Sequence, residues 1–139
     1  MRVEVRWTWV DDEASEDWNQ THCLYAFTDP DSDEILYVNS AIEANVRDRC
    51  ESSDHDDLWR ALRGIGIENV GVLIGLPQLD AAQRRDPVLL RELTTLLINE
   101  LDPSGNAEDE ALPDVPVRDG LEVACAGEWP YEEAIFVAV

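Results

Sequence analysis

Lysine is missing from this chain: every one of its ten basic residues is arginine, set against thirty-one acids for a net charge of −21. Duplex DNA is itself a dense polyanion, so a protein of this charge is repelled by it at ordinary salt unless a local arginine patch overrides the wider field. Cysteine is scarce. Cys23, Cys50 and Cys125 are odd in number and widely spaced, which excludes a disulfide framework and suits reduced thiols. No CxxC pair signals a zinc site. Apolar runs of about eighteen residues are also lacking, so no transmembrane helix is expected. The N-terminus Met1-Arg2-Val3-Glu4 has no signal-peptide core, and a cytoplasmic location is the expectation. There is no internal repeat and no low-complexity linker.

Enough remains for a folded domain. Hydrophobic residues make up 45% of 139 residues, close to the globular average, so acidity does not make the chain disordered. A single domain over residues 1–139 is the expectation. Val3 to Trp9 alternates apolar and polar residues and reads as an opening strand at a sheet edge. Asp11 to Gln20 reads as a loop, Ala41 to Cys50 as a helix capped by Asn39 or Ser40, and Ser53 to Gly64 as a second helix. Asn69 to Gly75 is a short buried strand that pairs with a hairpin described below. Pro87 to Leu101 is the clearest helix, with Pro87 suited to the first turn and Leu89, Leu93, Leu96 and Leu97 at helical spacing. Asn106 to Asp114 is an acidic loop, and residues 115–139 carry two strands around Leu121 to Cys125 and Ala134 to Val139.

The richest local pattern is a hairpin. Leu24-Tyr25-Ala26-Phe27 and Ile35-Leu36-Tyr37-Val38 are β-rich runs, and Asp29-Pro30-Asp31-Ser32-Asp33 between them is turn chemistry. It sets Tyr25 and Tyr37 side by side. Arg47 and Arg49 fall on the helix after the hairpin, Glu92 on the clear helix, and Pro103-Ser104-Gly105-Asn106 just beyond it. This set resembles the GIY-YIG nuclease superfamily over about residues 22–106, with Cys23-Leu24-Tyr25 and Tyr37-Val38-Asn39 at the two name-giving motifs. Both motif glycines are replaced here. Arg47 corresponds to the family's arginine and Asn106 to its asparagine. In the family's usual register the acidic metal ligand falls on Thr94, while Glu92 stands two residues earlier; helical periodicity leaves open which of the two faces the tyrosines.

The resemblance implies an α+β fold, a small and mainly antiparallel sheet flanked by helices, with extra strands at 3–9 and 115–139. It also implies a phosphodiester site. Tyr25 or Tyr37 would orient or deprotonate water, Arg47 would contact the phosphate, Arg49 and Asn106 would help hold nucleic acid, and Glu92 would bind Mg²⁺. With the acid displaced, the expectation is a divergent domain whose cutting ability is weakened or lost and which binds nucleic acid or a protein partner. One alternative is an active Mg²⁺-dependent endonuclease in a halophilic cell, where molar salt screens charge within about 3 Å. Another is an acidic protein-interaction module or DNA mimic that presents carboxylates to a basic protein.

Each residue also has an ordinary reading. Strand tyrosines are commonly core residues with satisfied hydroxyls, Arg47 has Glu43 and Glu51 at ion-pair spacing on its helix, and Asn106 can close a turn. Asp29, Asp31 and Asp33 resemble the start of a calcium loop, but Glu34 and Ser40 occupy the places of its glycine and glutamate. His22 and His55 have no third partner at nucleophile or metal spacing, and both read as structural or surface residues.

Overall fold

The computed structural model describes residues 1–108 and 115–139. Six strands form one sheet: β1 (Arg2–Trp9), β2 (Cys23–Thr28), β3 (Ile35–Ala41), β4 (Gly71–Pro77), β5 (Glu122–Gly127) and β6 (Ile135–Val137), in the order β3-β2-β4-β1-β5-β6. The fold is α+β. The sheet is mixed rather than purely antiparallel, because β1 runs parallel to β5 while every other neighbouring pair is antiparallel. The opening strand is not an edge. It lies inside the sheet between β4 and β5, so the terminal strands extend the hairpin sheet sideways instead of adding a second layer.

Helices α1 (Val46–Glu51), α2 (Asp56–Gly64), α3 (Ala81–Arg84) and α4 (Pro87–Leu101) complete the regular structure. The first begins later than its composition suggests. Strand β3 runs on through Ala41, and Asn45 rather than Asn39 or Ser40 caps α1 by accepting from the Asp48 amide. Side-chain capping thus decides the boundary where helix propensity does not. Short 3-10 turns occupy Glu16–Asn19, Ser53–His55 and Ser104–Glu108. The acidic-loop expectation for Asn106 to Asp114 lies largely outside the described residues.

Alternation along the strands divides the interior into two cores. Leu24, Ala26, Val38 and Leu73 point to one face and pack against Leu89, Leu90, Leu93, Leu96 and Leu97 of α4. The other face carries Tyr25, Phe27, Tyr37, Val72 and Ile74, covered by Val46 of α1 and by Leu58 and Leu62 of α2. Helix α4 starts at Pro87 behind an Asp86 cap, and it stops where Asp102 takes a left-handed conformation (φ 47°) and returns its amide to Ile98. An aspartate tolerates that conformation better than most residues with a side chain.

Strand β3 is the outer strand on the hairpin side, and its backbone edge is pinned by side chains. Asn106 Oδ1 accepts from the Val38 amide at 3.0 Å, and its Nδ2 donates to the Val38 carbonyl at 2.9 Å. One amide side chain thereby replaces a missing strand partner. Gly105 makes the approach possible: a Cβ there would stand 2.5 Å from the Leu36 carbonyl oxygen.

Candidate functional site

Register brings the hairpin tyrosines together. Tyr25 pairs with Asn39 and Phe27 with Tyr37 across β2 and β3, so all four share one face. The Tyr25 and Tyr37 ring centroids are 6.2 Å apart, and both rings are fully buried. Asn39, the residue at the second motif's glycine position, donates from Nδ2 to the Tyr37 hydroxyl at 2.8 Å and accepts from the Ser40 amide through Oδ1. Its side chain uses the space that a glycine would leave open.

His55 is the member that sequence reasoning set aside. It is fully buried at the end of the Ser53–His55 turn, with Nε2 2.9 Å from the Tyr25 hydroxyl and its ring edge-on to Tyr37 at 5.1 Å between centroids. The contact spans thirty residues of chain, so no spacing rule points to it. Phe27 and Trp59 close the cluster, their centroids 4.8 Å apart. Burial pushes the Tyr25 hydroxyl well above the ordinary phenol range, with the nearby charge of Arg49 pulling weakly back. At neutral pH the phenol stays protonated. It can donate or accept a hydrogen bond, but it is a poor base.

The two arginines of α1 exchange their expected places. Arg47 donates to the Glu13 carbonyl at 2.7 Å and lies over the Trp18 ring at 5.6 Å, anchoring the acidic loop after β1. Its partners are therefore Glu13 and Trp18, not the phenols or the helix neighbours Glu43 and Glu51. Arg49 is the cation whose charge reaches both Tyr25 and Tyr37. It also pairs with Asp54 at 3.4 Å and lines a cleft of about 400 Å³ with Asn39, Ser40, Glu43 and, from α4, Arg91. Arg49 and Arg91, carried by helices on opposite faces of the sheet, thus line one cleft at the end of β3.

Glu92 does not enter this region. It is on α4, across the sheet from the phenols, and the Arg118 guanidinium grips it, Nε lying 3.0 and 3.1 Å from its two oxygens while the Arg118 amide adds a further bond. Those bonds hold the carboxyl below its usual range against the opposing pull of burial. A carboxylate with both oxygens engaged by one guanidinium does not fit a Mg²⁺ ligand for the phenol cluster. Thr94 is no nearer that role: it too is buried on α4, and its hydroxyl donates to the Leu90 carbonyl. Asn106, expected at nucleic acid, is spent on the Val38 backbone.

The remaining reactive groups are quiet. All three cysteines are free, and burial pushes each thiol up to about 12. Asp29 closes the hairpin turn by accepting from the Asp31 amide, and Asp33 takes a left-handed conformation there (φ 62°). Among the described residues no helix is long and apolar enough to cross a membrane.

No family model, curated protein or solved structure matches the chain.

Proposed function

We propose that this protein is a divergent GIY-YIG-like domain that grips the phosphate backbone of nucleic acid without cutting it. The carrying observation is the cleft at the end of β3, where Arg49 and Arg91 share the lining with Asn39, Ser40 and a single carboxylate, Glu43, at the margin of the buried tyrosine cluster. Guanidinium forks suit phosphate oxygens, and the flanking Ser40 hydroxyl adds a neutral donor. The cutting half of the chemistry lacks support. A water-activating group needs access to solvent and a matched pKa, whereas Tyr25 is sealed from solvent and its pKa is raised. The candidate acid Glu92 is committed to Arg118 on the far face.

The global charge of −21 opposes this binding, and molar salt of the kind found in a halophile would screen that opposition along with part of the local attraction. Gel retardation and fluorescence anisotropy with short single-stranded and duplex oligonucleotides, from low to molar salt, test the reading. A shift that weakens about tenfold in an Arg49→Gln/Arg91→Gln variant supports it. Mg²⁺-dependent cleavage abolished by Glu92→Ala would restore the active nuclease instead. Absence of any shift, with co-purification of a basic protein, would favour the acidic interaction module.

A further inference from the structure

A second cleft, of about 310 Å³, opens beside the start of β2 and is lined by Asn19, Gln20, Thr21, His22, Arg84 and Arg85. Among the described residues no carboxylate lines it, although acids outnumber basic residues thirty-one to ten along the chain. Two other clefts of similar size carry Glu43 in one case and Asp11, Asp12 and Glu13 in the other. The acids nearest in sequence to the two arginines are used elsewhere: Asp80 caps α3 by accepting from the Gln83 amide, and Asp86 caps α4 by accepting from the Val88 amide. Among the described residues neither Arg84 nor Arg85 has an ion-pair partner, and Arg85 is exposed.

The cleft is also held in shape. Arg84 donates from Nη2 to Gln20 Oε1 at 3.2 Å and from Nε toward the His22 carbonyl at 3.4 Å, which fixes the plane of its fork and, among the described residues, leaves Nη1 without a hydrogen-bond partner. That carbonyl is aimed by a left-handed backbone at His22 (φ 55°), a conformation that costs free energy in a residue with a side chain. Thr21 Oγ1 lies 3.0 Å from His22 Nδ1 and orients the imidazole. Cys23 pairs with Ala41, so His22 in this cleft and Ile42 in the Arg49–Arg91 cleft are the next residues out on neighbouring strands. Both clefts therefore border one end of the hairpin.

We infer that the His22–Arg84–Arg85 cleft is a second binding site for a phosphate group, carried on a nucleic-acid strand or free in solution. The strand-borne case rests on the function proposed above and makes the hairpin end a track with two phosphate contacts. The free-phosphate case stands without it. Thr21, Gln20 and Asn19 supply neutral hydrogen-bonding groups, and the guanidinium groups supply the charge.

Two probes on the full chain separate these cases: inorganic phosphate by titration calorimetry, and a fluorescent single-stranded oligonucleotide by anisotropy across a salt series. In Arg84→Gln/Arg85→Gln, phosphate binding is expected to vanish, with oligonucleotide affinity down about tenfold and the salt slope reduced by about 0.7 per lost contact. Arg85→Glu alone is the second variant, since Arg85 is exposed and its replacement spares the Arg84 anchor; it should give the same direction of change. Phosphate binding lost in these variants, with oligonucleotide binding absent in wild type, supports the cleft as a free-phosphate site and overturns the nucleic-acid reading. Oligonucleotide binding that falls in Arg49→Gln/Arg91→Gln but is untouched in both cleft variants, without phosphate binding in wild type, overturns this inference alone.

Discussion

Tyr25 and Glu92 are both almost wholly buried, yet they end in opposite protonation tendencies. On the hairpin face, Tyr25 meets the His55 ring and aromatic carbon, and burial drives its pKa up more than the nearby Arg49 side chain draws it back. On the α4 face, Glu92 meets the Arg118 guanidinium, whose bonds outweigh burial and hold the carboxyl down. Burial penalises charge in both places, and the outcome turns on whether the arginine each group meets outweighs it, as Arg118 does at Glu92 and Arg49 does not at Tyr25. The difference also separates a polar cluster bordering an arginine cleft from an isolated ion pair that fastens the segment before β5 to α4.

The largest expected effect breaks the hairpin face at its edge. Asn106→Ala removes both side-chain bonds to Val38 and leaves a buried amide and carbonyl unpaired, at a cost of about 3 kcal/mol in chemical denaturation. Its oligonucleotide affinity, measured where the variant remains folded, should stay within about twofold of wild type; a large loss there would return Asn106 to the binding surface. Arg118→Met tests the opposite face by stranding the Glu92 carboxylate. Because Arg118 is 44% exposed, about 2 kcal/mol is expected, less than for a fully buried pair.

Two smaller effects sharpen the contrast. Tyr25→Phe leaves ring packing intact and removes the hydroxyl beside His55, with an expected loss of about 1 kcal/mol. The hydroxyl also interacts with the Arg49 side chain, so oligonucleotide affinity is expected to weaken modestly, by about twofold, in an anisotropy titration. Glu92→Gln changes the pH dependence of stability in a definite direction. The folded pKa of Glu92 lies below its ordinary value of 4.5, so its contribution is present above that value and is lost as pH falls through the folded pKa. Acid titration of thermal stability should therefore show a shallower decline below pH 4.5 in the variant than in wild type; an unchanged decline would mean the ion pair is energetically silent.

Much of the hairpin half was readable because its signals are local. The β-rich runs of β2 and β3 and the turn residues between them placed a tyrosine on each hairpin strand, the register then set both on one face, and Pro87 with the leucine spacing gave α4 its full extent. The boundary of α1 was misplaced since Asn45, not Ser40, satisfies the first helical amides. Arg47 and Arg49 are two residues apart on α1 and point about 200° apart, so choosing between them needs to know which side of the helix meets the sheet. Glu92 looked usable because a helix pattern does not say which sheet face the helix will cover. His55 carried no signal at all, its partner being thirty residues away in another element.

Composition and periodicity by themselves determined an acidic, lysine-free chain, a hairpin with a tyrosine on each strand, and one leucine-faced helix, since each depends on residues within a few positions of one another. Tertiary structure alone decided that β1 lies inside the sheet, that Arg118 captures Glu92, that Asn106 closes the β3 edge, and that four arginines border the two clefts at the hairpin end. Those outcomes depend on which distant segments meet, and the free energy of such meetings is set by burial and pairing between residues that the sequence keeps far apart.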